Sequence, residues 1–166
     1  MNIPDTARQQ AQDLLDFIDA SPSPWHAVST CEQRLQAAGF SPLQETERWS
    51  LRAGDKRYVV RGGSSIIAFI VGSQPLAECG LRIIGAHTDS PGLRIKPKPA
   101  ETVGGMLRLG VEVYGGPILA TFADRDLSLA GRVTVCTANG PASRLVRFAD
   151  PLLRLPNLAI HMNREV

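Results

Sequence analysis

Between Thr6 and Ala20 the apolar residues Ala7, Ala11, Leu14, Leu15 and Ile18 recur at helical spacing among Gln, Arg and Asp. This predicts an amphipathic helix with one buried stripe. Ser21-Pro22-Ser23-Pro24 ends it, and a second helix is predicted from Trp25 through Val28, Cys31, Leu35 and Ala38, with Gly39 as a left-handed stop. Past Gly39 the period changes. Lys56–Arg61, Ser65–Gly72 and Leu81–His87 are short, rich in β-branched residues and separated by Gly, Ser or Pro, so they read as strands. The runs around Ile66–Val71 and Ile83–Ile84 are apolar almost without interruption, which predicts strands buried on both faces of a helix-covered sheet.

After Pro97 and Pro99 the chain becomes a series of Gly-punctuated β segments: Met106–Tyr114, Ile118–Phe122, Gly131–Val135 and Leu158–His161. Pro117 removes a ladder donor and predicts an edge position for its strand. The pattern therefore divides the chain into an α/β part, 1–96, and an all-β part, 97–166, with Lys96–Pro99 as the seam.

Composition narrows the partners. A chain of 166 residues that is 43% hydrophobic can bury an ordinary core. Its 18 basic and 16 acidic residues are dispersed, without the basic stripe that phosphate-backbone binding needs, so nucleic acid is not expected as a partner. Asp5, Asp13, Asp16 and Asp19 near the start oppose export or import signals, and no apolar run approaches the ~20 residues of a membrane span; a cytoplasmic protein is expected. Cys31, Cys79 and Cys136 are odd in number and far apart, as for incidental reduced thiols.

The chemistry concentrates in Ile83-Ile84-Gly85-Ala86-His87-Thr88-Asp89-Ser90-Pro91-Gly92-Leu93. On an extended chain His87 and Asp89 project to the same side. One imidazole nitrogen can then face a metal while Asp89 accepts a hydrogen bond from the other, fixing tautomer and ring direction. Ser90-Pro91-Gly92-Leu93 has the composition of a type II turn, which would leave the strand end open to a cleft. His-x-Asp alone fits a structural histidine at a strand end as well. Ser90 beside Asp89 lacks the Gly-x-Ser-x-Gly elbow of a serine hydrolase. His26 is expected to cap or pack locally, and Asp124-Arg125-Asp126 to form a solvated turn between β segments.

Five stretches carry a resemblance: Ser21–Val28, Gly85–Lys96, Val113-Tyr114-Gly115-Gly116, Asp124–Val133 and Leu158–His161. In this order they resemble the successive signatures of M18 aminopeptidases, the aspartyl-aminopeptidase family. The resemblance covers nearly all of this chain but only the first part of a family member. Gly116–Asp124 departs from it in lacking the tryptophans usual before the Asp-Arg-Asp-Leu segment.

The resemblance implies a two-zinc exopeptidase that removes amino-terminal, usually acidic, residues from peptides. Its fold would be the first part of a zinc-exopeptidase α/β sheet domain followed by the start of an inserted all-β assembly domain, and the complete protein a homo-oligomeric dodecamer. It implies His87 as a zinc ligand, Asp89 as the carboxylate that steadies it, and His161 as a histidine that reaches a neighbouring subunit's active site and holds the substrate. His161 could equally be a strand residue facing solvent. A two-zinc site needs roughly five protein ligands and a general base, and the family's Glu-Glu pair occurs nowhere in this sequence. Ending at Asn163-Arg164-Glu165-Val166 directly after a β segment, the chain reads as cut. The expectation is a metallo-aminopeptidase segment inactive by itself; the alternative is a non-catalytic assembly or interaction fragment.

Overall fold

The computed structural model describes residues 4–159, 161 and 162. The elements follow in the order α1 (Asp5–Ala20), α2 (Pro24–Ala37), β1 (Ser41–Pro42), β2 (Lys56–Arg61), β3 (Ser65–Ile70), α3 (Leu76–Cys79), β4 (Gly92–Val103), β5 (Met106–Tyr114), a 3-10 turn (Leu119–Thr121), β6 (Asp126–Leu127), β7 (Ala130–Thr137), β8 (Gly140–Arg147) and β9 (Leu153–Arg154). They group into two units. The first holds the described residues up to Thr88 together with Ala130–Arg147; the second holds Asp89–Leu129 with the described residues from Phe148 onward. The chain thus comes back to its first unit for the β7–β8 hairpin, a return that a single division at 96/97 does not include. Lys96–Pro99, expected as a seam, lies inside β4. No helix among the described residues is long and apolar enough to cross a membrane.

In the first unit, both helices form where the apolar spacing placed them. Ser23 is the N-cap of α2, its hydroxyl accepting from the His26 amide at 3.4 Å, and Pro24 occupies the first turn, where no amide donor is needed. Gly39 stops the helix at φ +84°, with its amide bonded to Gln36 O and that of Phe40 to Leu35 O, the two bonds of a Schellman ending. Helix α1 buries none of its residues, contrary to the buried stripe expected; Leu14, Leu15 and Ile18 are exposed. It is tied to α2 instead through Arg34, which pairs with Asp13 at 2.8 Å and lies 5.2 Å from the Phe17 ring centroid.

The three-stranded sheet runs β1-β2-β3, with β1 parallel and β3 antiparallel to β2. Gly62 and Gly63, at φ +59° and +69°, make the turn between β2 and β3. Ala27, Val28, Tyr58 and Val59 are the buried apolar residues among those described, and Val28 and Tyr58 are each 1% exposed. Gln36 Nε2 donates to the Tyr58 hydroxyl at 2.7 Å, so the largest buried side chain keeps its polar end partnered and binds α2 to β2. Arg132 of β7 pins the β7–β8 hairpin to this core: Nη1 donates to Gly62 O at 2.7 Å, and the guanidinium carbon sits 4.9 Å from the Trp25 ring centroid.

Three strand expectations are corrected. Leu81–His87 carries no ladder; Ile83 is 82% and Ile84 100% exposed. A strand exists only as a member of a ladder, and among the described residues β3 has a partner on the β2 side alone. For the same reason Ile67 and Ile70 of β3, expected inside, are exposed. Ile118–Phe122 is a 3-10 turn, closed by the Thr121 amide on Ile118 O and the Phe122 amide on Leu119 O. Leu158–His161 is irregular chain leading into a turn, with the Met162 amide on Ala159 O; Ile160 lies outside the described residues.

In the second unit, β4 and β5 form a long antiparallel hairpin turned by Gly104 and Gly105, both at positive φ, the two-residue geometry that suits strand twist. Its ladder breaks between Ile95 and Ala100, where Lys96–Pro99 bulges opposite Gly110 and Lys98 takes φ +53°. Strands β6 and β9 pair antiparallel, and Arg154 of β9 donates to Asp126 Oδ1 at 3.2 Å and Asp124 O at 3.0 Å. Asp124, at φ +53°, also accepts from the Asn157 amide; Asp124-Arg125 is the exposed turn that the charges suggested, while Asp126 is already in β6.

Two outcomes follow for the first unit. Val28→Ala should lower unfolding free energy by about 2 kcal/mol, the transfer and cavity cost of two buried carbons, as read from urea titration. His26 Nδ1 lies 2.7 Å from Ser23 Oγ, and burial, with the Arg147 charge adding, holds this imidazole below its ordinary pKa of 6.5. A lowered folded-state value means that the unfolded chain takes up the proton first as pH falls. The stabilising contribution is therefore complete above the ordinary histidine range and declines as pH drops below it. Thermal unfolding at pH 5 to 7.5 should show a decline toward acid that His26→Gln flattens.

Candidate metal and substrate site

The segment that carries His87 is anchored at one point in the first unit: Thr88 Oγ1 donates to Ser64 O at 2.7 Å, beside the β2–β3 turn. His87, just before that anchor, is exposed. An exposed imidazole next to a fixed backbone point can present a ring nitrogen to an incoming cation.

Asp89 opens the second unit and is half-buried. Its Oδ2 accepts from the Tyr114 hydroxyl at the end of β5. The type II turn expected at Ser90–Leu93 does not form. Gly92 is not among the glycines with positive φ and instead begins β4, paired with Tyr114. Ladder pairing of Gly92 thus takes the place of the left-handed conformation that a type II turn requires there. Gly115 takes φ +69°, and a Cβ there would stand 3.4 Å from Pro91 Cβ and Cγ, so the chain packs closely where it leaves the hairpin.

Tyr114 carries a further group. The Arg94 guanidinium carbon lies 3.5 Å from its ring centroid. The hydrogen bond to Asp89, reinforced by that carboxylate's negative charge, holds the Tyr114 hydroxyl above the ordinary phenol pKa. In the sequence Tyr114 belongs only to a glycine-flanked signature, and nothing there assigns it chemistry. Counting back from the Gly104-Gly105 turn would set it opposite Ile95; the three extra residues of the bulge set it opposite Gly92.

His161 is exposed in the turn that follows β9, in the second unit. Ser90 is exposed as well. Among the described residues no three His, Cys, Asp or Glu side chains come together in a metal-binding group. The donor present at the front of the site, one imidazole followed two residues later by a hydrogen-bonded carboxylate, suits zinc by type, and a complete zinc site requires further ligands.

Residues 17–166 match the family model described as aminopeptidase I zinc metalloprotease (M18). The chain is 54% identical over 154 residues to a probable M18 family aminopeptidase 2 of Stutzerimonas stutzeri (strain A1501), covering 93% of this chain and 36% of that protein. It therefore spans about a third of the length of such relatives. Among solved structures it is similar to a chain in the cryo-EM structure of the Ape4 and Nbr1 complex, with a TM-score of 0.90, 46% identity and coverage of 96% of this chain and 31% of that one. It is also similar to the S. cerevisiae mApe1 dodecamer, with a TM-score of 0.84, 32% identity and coverage of 94% and 37%. The mixed α/β architecture is that of the amino-terminal part of these enzymes, and the chain belongs to the M18 family of zinc metallo-aminopeptidases.

Proposed function

We propose that this chain is the amino-terminal segment of a zinc aminopeptidase that hydrolyses amino-terminal, acidic residues from peptides. The observation that carries the reading is the family match over residues 17–166, within which His87 and Asp89 stand two residues apart. In this reading His87 is a zinc ligand. Asp89 accepts from the other ring nitrogen and so selects the tautomer that leaves a lone pair for the metal. Zinc, when bound in the two-metal site of the complete enzyme, polarises the scissile carbonyl and activates water. The exposure of His87 supports its use by a site that further residues complete.

His161, on the part of the chain from 97 onward that we read as the start of the inserted assembly domain, contacts substrate in a neighbouring subunit. Its exposed position in a turn is compatible with reaching outward. The complete protein is a cytoplasmic homododecamer, by analogy with the mApe1 dodecamer. The segment by itself does not turn over substrate, because a two-zinc centre needs roughly five ligands and His87 is the one this chain is read to supply.

A second reading, a non-catalytic assembly or interaction fragment, is favoured by the apolar surface at Ile67, Ile70, Ile83 and Ile84. The two readings separate on two measurements. The purified chain should release no product from amino-terminal aspartyl or glutamyl substrates with added zinc, and turnover that survives repurification would defeat the expected inactivity. Zinc retained by the complete enzyme, measured by metal analysis after equilibrium dialysis, should fall in His87→Ala. Metal content unchanged by that substitution would remove His87 from the site.

Association should follow the apolar surface rather than the metal. Ile84→Lys is expected to shift the sedimentation distribution toward monomer without changing zinc content. An unchanged distribution would dissociate self-association from this segment.

A further inference from the structure

The carboxylate of Asp89 is held by a side chain that the proposed reaction does not itself use. Tyr114 is the last residue of β5, and its hydroxyl donates to Asp89 Oδ2. The ladder explains how it gets there. Tyr114 pairs with Gly92, which has no side chain to displace the ring. Arg94, two residues along β4, shares the face of Gly92 and is a diagonal neighbour of Tyr114 across the ladder. Its guanidinium carbon lies 3.5 Å from the ring centroid, so the ring is covered by a cation on one side. At the other end the Gly115 turn packs against Pro91, which keeps the segment from Asp89 to Gly92 close to the strand that bears Tyr114.

We propose that Tyr114 is a positioning residue: its hydroxyl, on a ring clamped by Arg94, fixes the rotamer of Asp89, and Asp89 in turn sets the tautomer of His87. The inference rests on the reading of Asp89 as the carboxylate that orients His87. A carboxylate on a short side chain turns easily about its terminal bond, and its two oxygens are then interchangeable. A rigid phenol donor on Oδ2 ends that freedom and gives the other oxygen one direction. A hydrogen bond to an ionised acceptor is roughly twice as strong as one between neutral groups, which suits it to hold an orientation. Arg94 acts one step further back. It restrains the ring and draws electron density from it, making the hydroxyl a better donor.

The test uses the metal-free chain with nitrogen-15-labelled histidine, at about pH 8, where an ordinary imidazole is neutral. Long-range proton–nitrogen spectra of the His87 ring should show one dominant tautomer in the unmodified chain. Tyr114→Phe keeps the ring and removes the donor, and should convert that pattern to a mixture of both tautomers, as Asp89→Asn should. Arg94→Gln should shift it in the same direction by less. Amide spectra of β4 and β5 establish that the hairpin persists in each variant; if Tyr114→Phe disrupts the hairpin, Arg94→Gln decides alone.

A single unchanged tautomer in Tyr114→Phe, or in Arg94→Gln where that variant decides, overturns the proposal. So does an unmodified chain whose His87 already populates both forms. Zinc added to the same samples tests the underlying reading separately. Resonances of the His87 ring that ignore zinc, together with a tautomer that depends on Tyr114, would remove the metal role and leave the positioning role standing.

Discussion

Strand backbone and apolar side chains must be covered, and in this molecule the demand exceeds what its described residues supply. Ala27, Val28, Tyr58 and Val59 are the buried apolar positions among them, all in the first unit, while Ile67, Ile70, Ile83 and Ile84 face outward. Apolar surface removed from water contributes on the order of 25 cal/mol per Å2, so strands that expose both edge and face gain little by ordering. The same constraint explains why Leu81–His87, one of the runs that read as strands in the sequence, has no ladder. Its hydrogen-bonding groups and its isoleucines alike need neighbours.

What holds the first unit together is therefore a small number of specific contacts around that short core. Gln36 on Tyr58 binds α2 to the sheet, Arg34 on Asp13 and Phe17 binds α1 to α2, and Arg132 on Gly62 and Trp25 binds the β7–β8 hairpin. Arginine serves at two of these joints because its planar cation can donate along its edge while stacking on an aromatic face. Thr88 closes onto the same region through Ser64, which places the backbone beside His87 at a defined point. The chain is thus held at Thr88 although His87 just before it is exposed.

The second unit solves a different problem. With no buried apolar residue among those described, it relies on ladders and on paired turns: the β4–β5 hairpin, the β6–β9 pair and the contacts of Arg154 with Asp124 and Asp126. An isolated two-stranded ribbon is marginal in water, which is consistent with a chain that spans 36% of the length of its Stutzerimonas stutzeri relative. Within this unit the Lys96–Pro99 bulge has a local consequence out of proportion to its size. By shifting the register it sets Tyr114 opposite Gly92, and so brings a phenol to Asp89 and a guanidinium onto the ring of that phenol.

The sequence by itself determined both long helices, four of the strands and the family. Helical spacing and Gly39 defined α1 and α2, β-branched runs defined β2 and β3, Gly-punctuated β segments marked β5 and β7, and the ordered signatures from Ser21 to His161 identified an M18 aminopeptidase segment. Those features depend on near neighbours in the chain, where period and turn chemistry act directly. Tertiary structure decided which strands find partners, that β4 runs through Pro97 and Pro99, that Gly92 is a strand residue instead of a turn, and that Ala130–Arg147 rejoins the first unit. It also decided that Tyr114 meets Asp89 and that Arg94 covers the Tyr114 ring. These depend on ladder register and on the covering of distant surfaces, which change face or partner with a shift of a single residue, and composition and local period do not encode them.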